Sequence, residues 1–397
     1  MKGSNLNYIT IILSGDRSEK PGLLTKETPE PIVTFGGAYR LIDFTLSNCF
    51  HSHTGVIGVL TQYCHPDFAD YIDSCSSYAP TEQKAEISIL PPKTINDRYE
   101  YYKGSADAIE KNIDFIEQYN PESLLVLSGD QVYKMDYAQL LAEHKKYAPA
   151  VTIAALRVPW TEATRFGIME TETGGRITDY EEKPFQPRSN LASMGIYVFN
   201  WKKLKQYLQR NNENHGSGKD LGKDVIPLML TMGETLNAYL FDGYWKDISN
   251  IYNLWEAQME LLSASPRFRL QDESWNNINK DKTAMKHYDS RLSENSHVIN
   301  SFLAEDCKVR GTVRQSVLSA GVEIMDAAKV VNSVVMPGAK IGRGAFVHRA
   351  IIGANAFVKD SMIIDGANPN GVCSSYSQGV ALYTSPASGK PAQQAVS

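Results

Sequence analysis

The sequence predicts an α/β protein in two parts: a mostly parallel sheet covered by helices, then a parallel β-helix of hexapeptide repeats. Three observations carry this. Through about residue 260, short β-rich apolar runs alternate with segments of helical period. Past about residue 299, aliphatic residues recur in steps of six, with small and turn-forming residues between them. Residues 263–297, "SASPRFRLQDESWNNINKDKTAMKHYDSRLSENSH", are polar and unpatterned and read as a connection.

The predicted strands of the first part are Tyr8–Leu13, Val56–Thr61, Ser123–Leu127 and Ala150–Leu156. Between them lie "SADAIEKNIDFIEQY" and "YAQLLAEHKKY". In the first of these, Ile109, Ile113 and Ile116 share one helical face, and Ser105 is its expected N-cap. Ligands of such sheets bind beyond the carboxyl ends of the strands, so residues just after strands are the first candidates for a site. In the second part Leu318, Ile324, Val330 and Met336 are six apart. Val335, Ile341 and Val347 repeat the step, as do Ile352, Val358 and Ile364. Each strand-plus-turn would form one side of a triangular coil, and stacked coils would bury the aliphatic column. A solenoid of this kind caps or joins subunits, so this part is expected to be structural. The expected division is residues 1–262, a linker at 263–298, the β-helix at 299–380 and a tail at 381–397.

Length and composition fit this division. A chain of 397 residues is too long for one ordinary domain. A net charge of −5 argues against a general nucleic-acid binder, and the longest basic run, Trp201-Lys202-Lys203-Leu204-Lys205, reads as a solvated helix face. No apolar run approaches the roughly 20 residues of a membrane span, and the N-terminal residues lack a signal-peptide pattern. Cys49, Cys64, Cys75, Cys307 and Cys373 have no C-x-x-C spacing, so neither a disulfide framework nor a zinc site is expected. The expected compartment is the reduced cytoplasm.

Four stretches carry chemistry. In "LLVLSGDQVYKMDY" an apolar strand ends in Gly129-Asp130, with Asp136 following. A carboxylate there suits Mg²⁺, which favours one or two carboxylates plus phosphate oxygens and water, or else it caps the next turn. Asp247 in "GYWKDISN" could converge on the same ion or be a turn residue. Lys183 follows Glu181 and Glu182 in "DYEEKP"; it is either part of a surface ion-pair cluster or a lysine held to meet a phosphate. Gly104 in "YYKGSADAIEKN" precedes a helix start, where free N–H groups suit a polar ligand, although packing alone would explain it. Finally, "ILSGDRSEKPGLLTKETPEPIVTFGG", residues 12–37, has the strand–turn frame of a phosphate loop but carries acids and prolines.

Together and in this order, these motifs strongly resemble the bacterial ADP-glucose pyrophosphorylase (glucose-1-phosphate adenylyltransferase) family. The resemblance covers roughly residues 8–365 and includes "FGGAYRLIDFTLSNC", "LSGDQVYKMDY", "SNLASMGIYVFNW" and "GYWKDISNIYNLWEAQMELL". It implies a Rossmann-like nucleotidyltransferase domain, a left-handed β-helix and a tetramer. The implied reaction joins ATP and glucose 1-phosphate into ADP-glucose, with release of pyrophosphate. By motif match Asp130 and Asp247 would bind Mg²⁺, with Asp130 also catalytic. Glu182, Lys183 and Ser193 would hold glucose 1-phosphate, and Gly15, Gly104 and Ser105 would contact the nucleotide.

The opening loop departs from the family pattern L-A-G-G-x-G-[ST]-R-L … A-K-P-A-V-x-F-G-G-K-Y-R. Two glycines become Asp16 and Ser18, the arginine becomes Lys20 and the next leucine Pro21. The two lysines become Glu30 and Ala38. The "W-D-L"-like segment is unrecognisable in "IDSCSSYAPTEQ". Lost glycines disfavour the backbone that brings N–H groups to phosphate, and lysine cannot reproduce arginine's fork. Glu30 reverses a charge. The resemblance therefore implies a catalytically impaired, regulatory chain, partnered in a heterotetramer by a homologue with an intact loop, in glycogen synthesis. Arg17, Lys20 and Lys26 remain in the loop, which leaves open an active adenylyltransferase with a variant loop. A non-enzymatic sensor of sugar phosphate or nucleotide is the third reading. The resemblance implies effectors that are sugar phosphates or adenine nucleotides.

Overall fold

Four apolar runs become strands: Tyr8–Ser14, Val56–Thr61, Ser123–Ser128 and Val151–Arg157. The structure, a computed structural model, describes residues 7–14, 30–62, 66–76, 85–95, 98–213, 219–270, 275, 286–290, 296–368 and 371–384. The strands Glu86–Leu90, Val56–Thr61, Tyr8–Ser14 and Ser123–Ser128 run parallel, in that spatial order. Leu191–Asn200 follows, antiparallel to Ser123–Ser128 and to Val151–Arg157 on its other side. Val151–Arg157 in turn pairs in parallel with Leu236–Leu240. A hairpin of Gly167–Thr171 and Ile177–Glu182 joins through Ile168 opposite Ala192. The central runs are continuously apolar because both faces are covered: Ile9, Ile11, Ile12 and Leu124 to Leu127 are fully buried.

The predicted long helix is two short ones, Ser105–Glu110 and Ile113–Glu117. Ile109 and Ile116 are buried, and Ile113 packs partly buried against the same core. Ser105 is not the N-cap. Gly104 holds that position, and Ser105 opens the first turn with its hydroxyl engaged elsewhere. Asp136 is the N-cap of Tyr137–Tyr147, accepting from the Ala138 N–H at 2.9 Å. The basic run lies on the helix Trp201–Glu213, with Trp201 and Leu204 buried. Its Lys203 and Lys205 pair with Glu234 and Glu117.

His144, near the end of Tyr137–Tyr147, is buried with Nδ1 2.9 Å from Thr152 Oγ1. Burial pushes its imidazole down to about 4. The unfolded chain therefore takes up a proton near pH 6.5 that the folded chain refuses until about pH 4. Its contribution is complete above pH 6.5 and falls by about 3 kcal/mol toward pH 4. Unfolding curves of the native chain and His144→Gln should converge by that amount between pH 7 and 4; a constant difference would contradict it.

Two compact units interleave along the chain. The sheet strand Tyr8–Ser14, residues 45–129 and residues 134–243 belong to one; residues 30–44, residues 130–133 and the chain from Tyr244 onward belong to the other. The reason is apolar burial. Val33, Phe35, Tyr39, Leu41 and Phe44 share a cluster with Val132, Leu254, Trp255, Val317, Val334 and Ile351. The segment read as a connection also contributes structure, since Phe268 and Leu270 are buried in this cluster and Lys286–Ser290 pairs antiparallel with His297–Leu303.

The hexapeptide repeats form a three-sided parallel coil. One side stacks Thr312–Arg314, Lys329–Val331, Phe346–His348 and Ile363–Asp365. The second stacks Val317–Leu318, Val334–Val335 and Ala350–Ile352, and the third Lys308–Val309, Glu323–Ile324, Lys340–Ile341 and Phe357–Val358. Val313, Val330, Val347 and Ile364 lie directly above one another, seventeen residues apart. One step per coil is thus five, and the buried column passes from Val330 to Val335. Met336, expected in it, packs in the other cluster. The shortened corner is turned by Asn300, Gln315, Asn332 and Arg349, all at positive φ. Beside it the buried Ser301, Ser316 and Ser333 form a ladder in which each hydroxyl accepts from the N–H one coil on. Among the described residues no helix is long and apolar enough to cross a membrane.

Candidate functional site

The second unit brings Asp130 and Asp247 side by side. Gln131–Tyr133 pairs antiparallel with Trp245–Asp247, with Asp247 opposite Gln131. The Ile248 N–H donates to the Asp130 carbonyl at 3.4 Å. Asp130, two residues past the end of Ser123–Ser128, therefore neighbours an acid more than a hundred positions later, and both are half-buried. The ribbon is fixed from several directions. Trp245 Nε1 donates to Gln131 Oε1 at 3.0 Å, and Asn253 Nδ2 donates to the Asp247 carbonyl at 2.9 Å. Lys246 bonds Glu256 and Glu260 on the helix Ile251–Glu260, while Tyr244 donates to Glu260 and Tyr252 to Glu256, each at 2.7 Å. Burial lowers the Lys246 ammonium, but the two carboxylates outweigh it and raise it overall. No cluster of three or more His, Cys, Asp or Glu suited to a metal occurs among the described residues. Two half-buried carboxylates at one end of a rigid ribbon still fit Mg²⁺, which takes its other ligands from phosphate and water.

Glu30 lies in the same unit. It opens the short turn Glu30–Ile32 and is 2 % exposed. Arg40 braces this segment: its guanidinium donates to the Ile32 carbonyl and Thr34 Oγ1, and its N–H to Asp43 Oδ2. Gly36 and Gly37 turn the hairpin between Thr34–Phe35 and Tyr39–Arg40 at φ 57° and 84°, which side-chain-bearing residues resist. Gly15, Lys20 and the rest of 15–29 lie outside the described residues.

In the first unit a polar cluster surrounds Glu182, at the end of Ile177–Glu182. The Tyr180 hydroxyl donates to Glu182 Oε2 at 2.9 Å. The Ser193 hydroxyl donates to the Tyr197 oxygen at 3.4 Å and accepts from the Gly195 N–H at 3.2 Å. Lys183 is exposed at φ 50°, its N–H donating to the Phe166 carbonyl, so the chain turns sharply just past Glu182.

Gly104 and Ser105 have a different setting. A Cβ on Gly104 would lie 2.4 Å from the Lys219 carbonyl oxygen. That oxygen accepts from the Ala106 and Asp107 N–H groups, which leaves neither for a ligand. The Ser105 hydroxyl donates to Asp220 Oδ2 and accepts from the Leu221 N–H, both at 2.8 Å. Close backbone packing accounts for this glycine.

The nucleotidyl transferase family profile matches residues 9–264, and that of the GlmU-like C-terminal hexapeptide matches 283–375. Glucose-1-phosphate adenylyltransferases of Bacillus cereus and Bacillus mycoides are each 42% identical over 356 residues, covering 90% of this chain and 94% of theirs. That of Bacillus cytotoxicus is 42% identical over 358 residues with the same coverage. The chain belongs to the glucose-1-phosphate adenylyltransferase family.

Membership spans the Asp130–Asp247 ribbon, the Glu182 cluster and the coils alike. The structure brings Asp130 to Asp247 within one unit, and Glu182 to Tyr180 in the other unit, which also holds the Ser193–Tyr197 pair. Of the cluster around Glu182, the sequence reading does not include Tyr180, Tyr197 and the glycines at 167 and 222. A signal for Tyr180 was available: two residues before Glu182 on one strand, it must share that residue's face.

Proposed function

We propose that this chain is a subunit of ADP-glucose pyrophosphorylase, converting ATP and glucose 1-phosphate to ADP-glucose and pyrophosphate in glycogen synthesis, and that it is the impaired, regulatory one. In this reaction the phosphate of glucose 1-phosphate attacks the α-phosphorus of ATP. The new P–O bond forms as the bond to the β-phosphate's bridging oxygen breaks, and the electron pair leaves on pyrophosphate. Such chemistry is mostly positioning and charge neutralisation. Glu182 accepts from sugar hydroxyls, Lys183 neutralises the sugar phosphate from its exposed turn, and Ser193 aids them. Asp130 and Asp247 would hold Mg²⁺, which neutralises phosphate charge when bound. By motif match the nucleotide side would begin at Gly15, while Gly104 and Ser105 are engaged in packing against Lys219, Asp220 and Leu221.

One observation carries the regulatory assignment. Where the family's A-K-P motif supplies a cation, this chain has Glu30, 2 % exposed in a turn braced by Arg40. Lys20 in place of arginine weakens the pyrophosphate side further. The binding half is kept while the leaving-group half loses its charge. The favoured partner is a homologue with an intact loop, in a cytoplasmic heterotetramer answering to a sugar-phosphate or nucleotide effector. Arg17, Lys20 and Lys26 favour a second reading, a self-sufficient enzyme with a variant loop.

Co-expression with an intact-loop homologue tests the assignment. The two chains should co-purify as one stable assembly whose response to effectors differs from that of the homologue alone. Separate elution, with glucose 1-phosphate still bound by this chain, would point to a sensor instead.

A further inference from the structure

We propose that Tyr180 is a positioning residue that fixes the Glu182 carboxylate to receive a sugar hydroxyl. The inference rests on the reading of Glu182 as part of the glucose 1-phosphate site. A carboxylate only accepts hydrogen bonds and repels phosphate, so the partner it selects on a sugar phosphate is a hydroxyl. Which hydroxyl it meets depends on how the carboxylate is turned, and Tyr180 sets that turn.

Tyr180 is 5 % exposed, with its ring in the apolar core and its hydroxyl on Glu182 Oε2 at 2.9 Å. The pair sits against bare backbone on two sides. A Cβ on Gly167 would lie 2.1 Å from the Tyr180 hydroxyl and 2.7 Å from Glu182 Oε2. One on Gly222 would lie 2.7 Å from the same Oε2. Two glycines on separate segments thus leave room for one hydroxyl–carboxylate contact.

The contact also has a direction. Tyr180 donates to Glu182, while beside it the Gly195 N–H donates to Ser193, whose hydroxyl donates to Tyr197. The Tyr180 hydroxyl has one proton to give, and it goes to the carboxylate. Burial, with the negative charge of Glu182, raises the Tyr180 phenol well above its ordinary range, so it remains a donor at every working pH.

The test measures binding of glucose 1-phosphate, inorganic phosphate and ATP to the full-length native chain, Tyr180→Phe and Gly222→Ala, with thermal unfolding alongside. Tyr180→Phe should weaken glucose 1-phosphate about tenfold, the worth of one charge-assisted hydrogen bond, and leave phosphate and ATP unchanged. Gly222→Ala should do the same, because it moves Oε2 while keeping the charge. Removing in turn each sugar hydroxyl should reveal one deoxy analogue that the variants no longer discriminate against. If the native chain binds glucose 1-phosphate and Tyr180→Phe binds it equally well, the positioning role is overturned and the site reading stands. A parallel loss of all three ligands together with folding would mark Tyr180 as structural only and also overturn it. If the native chain does not bind glucose 1-phosphate, the site reading fails and the inference with it.

Discussion

Changing Glu30 to lysine together with Lys20 to arginine is expected to raise pyrophosphate release by roughly a thousandfold over the native chain. A carboxylate held about 4 Å from a phosphate costs roughly 4 kcal/mol at an effective dielectric near 20. If that cost falls on the transition state, it is roughly three orders of magnitude in rate. Arginine adds a two-pronged contact to phosphate that lysine cannot make. Glu30 is 2 % exposed, yet a lysine there can bury its stem and carry the ammonium outward. Glu30→Gln alone should recover an intermediate share, since it removes repulsion without supplying attraction. A coupled pyrophosphate assay checks this, with unfolding curves to confirm that the variants fold. A silent double variant would shift the deficit to Asp16, Ser18, Pro21 and Ala38.

Trp255→Ala should destabilise the second unit by about 3–5 kcal/mol, the usual cost of emptying a large aromatic site. Trp255 is 9 % exposed in the cluster that joins the Ile251–Glu260 helix to the coils. Its Nε1 donates to the Asn332 carbonyl at 2.7 Å, and the Arg349 guanidinium lies over its ring at 4.8 Å. Arg349 is held in place by donating to the Gly379 carbonyl at 2.9 Å. Asn332 and Arg349 are both left-handed corner residues, so the indole reads two successive corners of the coil. Trp255→Phe keeps most of the packing but orphans the Asn332 carbonyl, and should cost about 1–2 kcal/mol. Urea unfolding monitors both. A change below 1 kcal/mol for the alanine variant would mean that the helix and coils do not depend on this contact.

The parts legible in the sequence were those governed by period. The parallel strands and the aliphatic column follow from alternation and a six-residue step, which local sterics and burial impose directly. Met336 falls outside the column because one side of each coil is five residues long, so Val335 follows Val330 there, which a fixed step of six does not reveal. Ser105 looked like a cap, but its hydroxyl serves Asp220 and Leu221, more than a hundred positions away. Residues 33–44 gave no sign of leaving the sheet unit, because apolar residues announce that they will be buried and not against what. Asp130 and Asp247 are expected from position and motif match to converge on one ion, and the ribbon register makes them neighbours. The Tyr180–Glu182 contact required the two facing glycines, and no spacing in the sequence reveals which glycines face each other.

The most direct test of the account is pyrophosphate release by the native chain alone, purified free of homologues and supplied with ATP, glucose 1-phosphate and Mg²⁺. The expected result is no release above background, from a chain that binds glucose 1-phosphate and restores regulated activity when an intact-loop partner is added. Robust turnover by the native chain alone would contradict the account, and would mean that Arg17, Lys20 or Lys26 has taken over the departing phosphate.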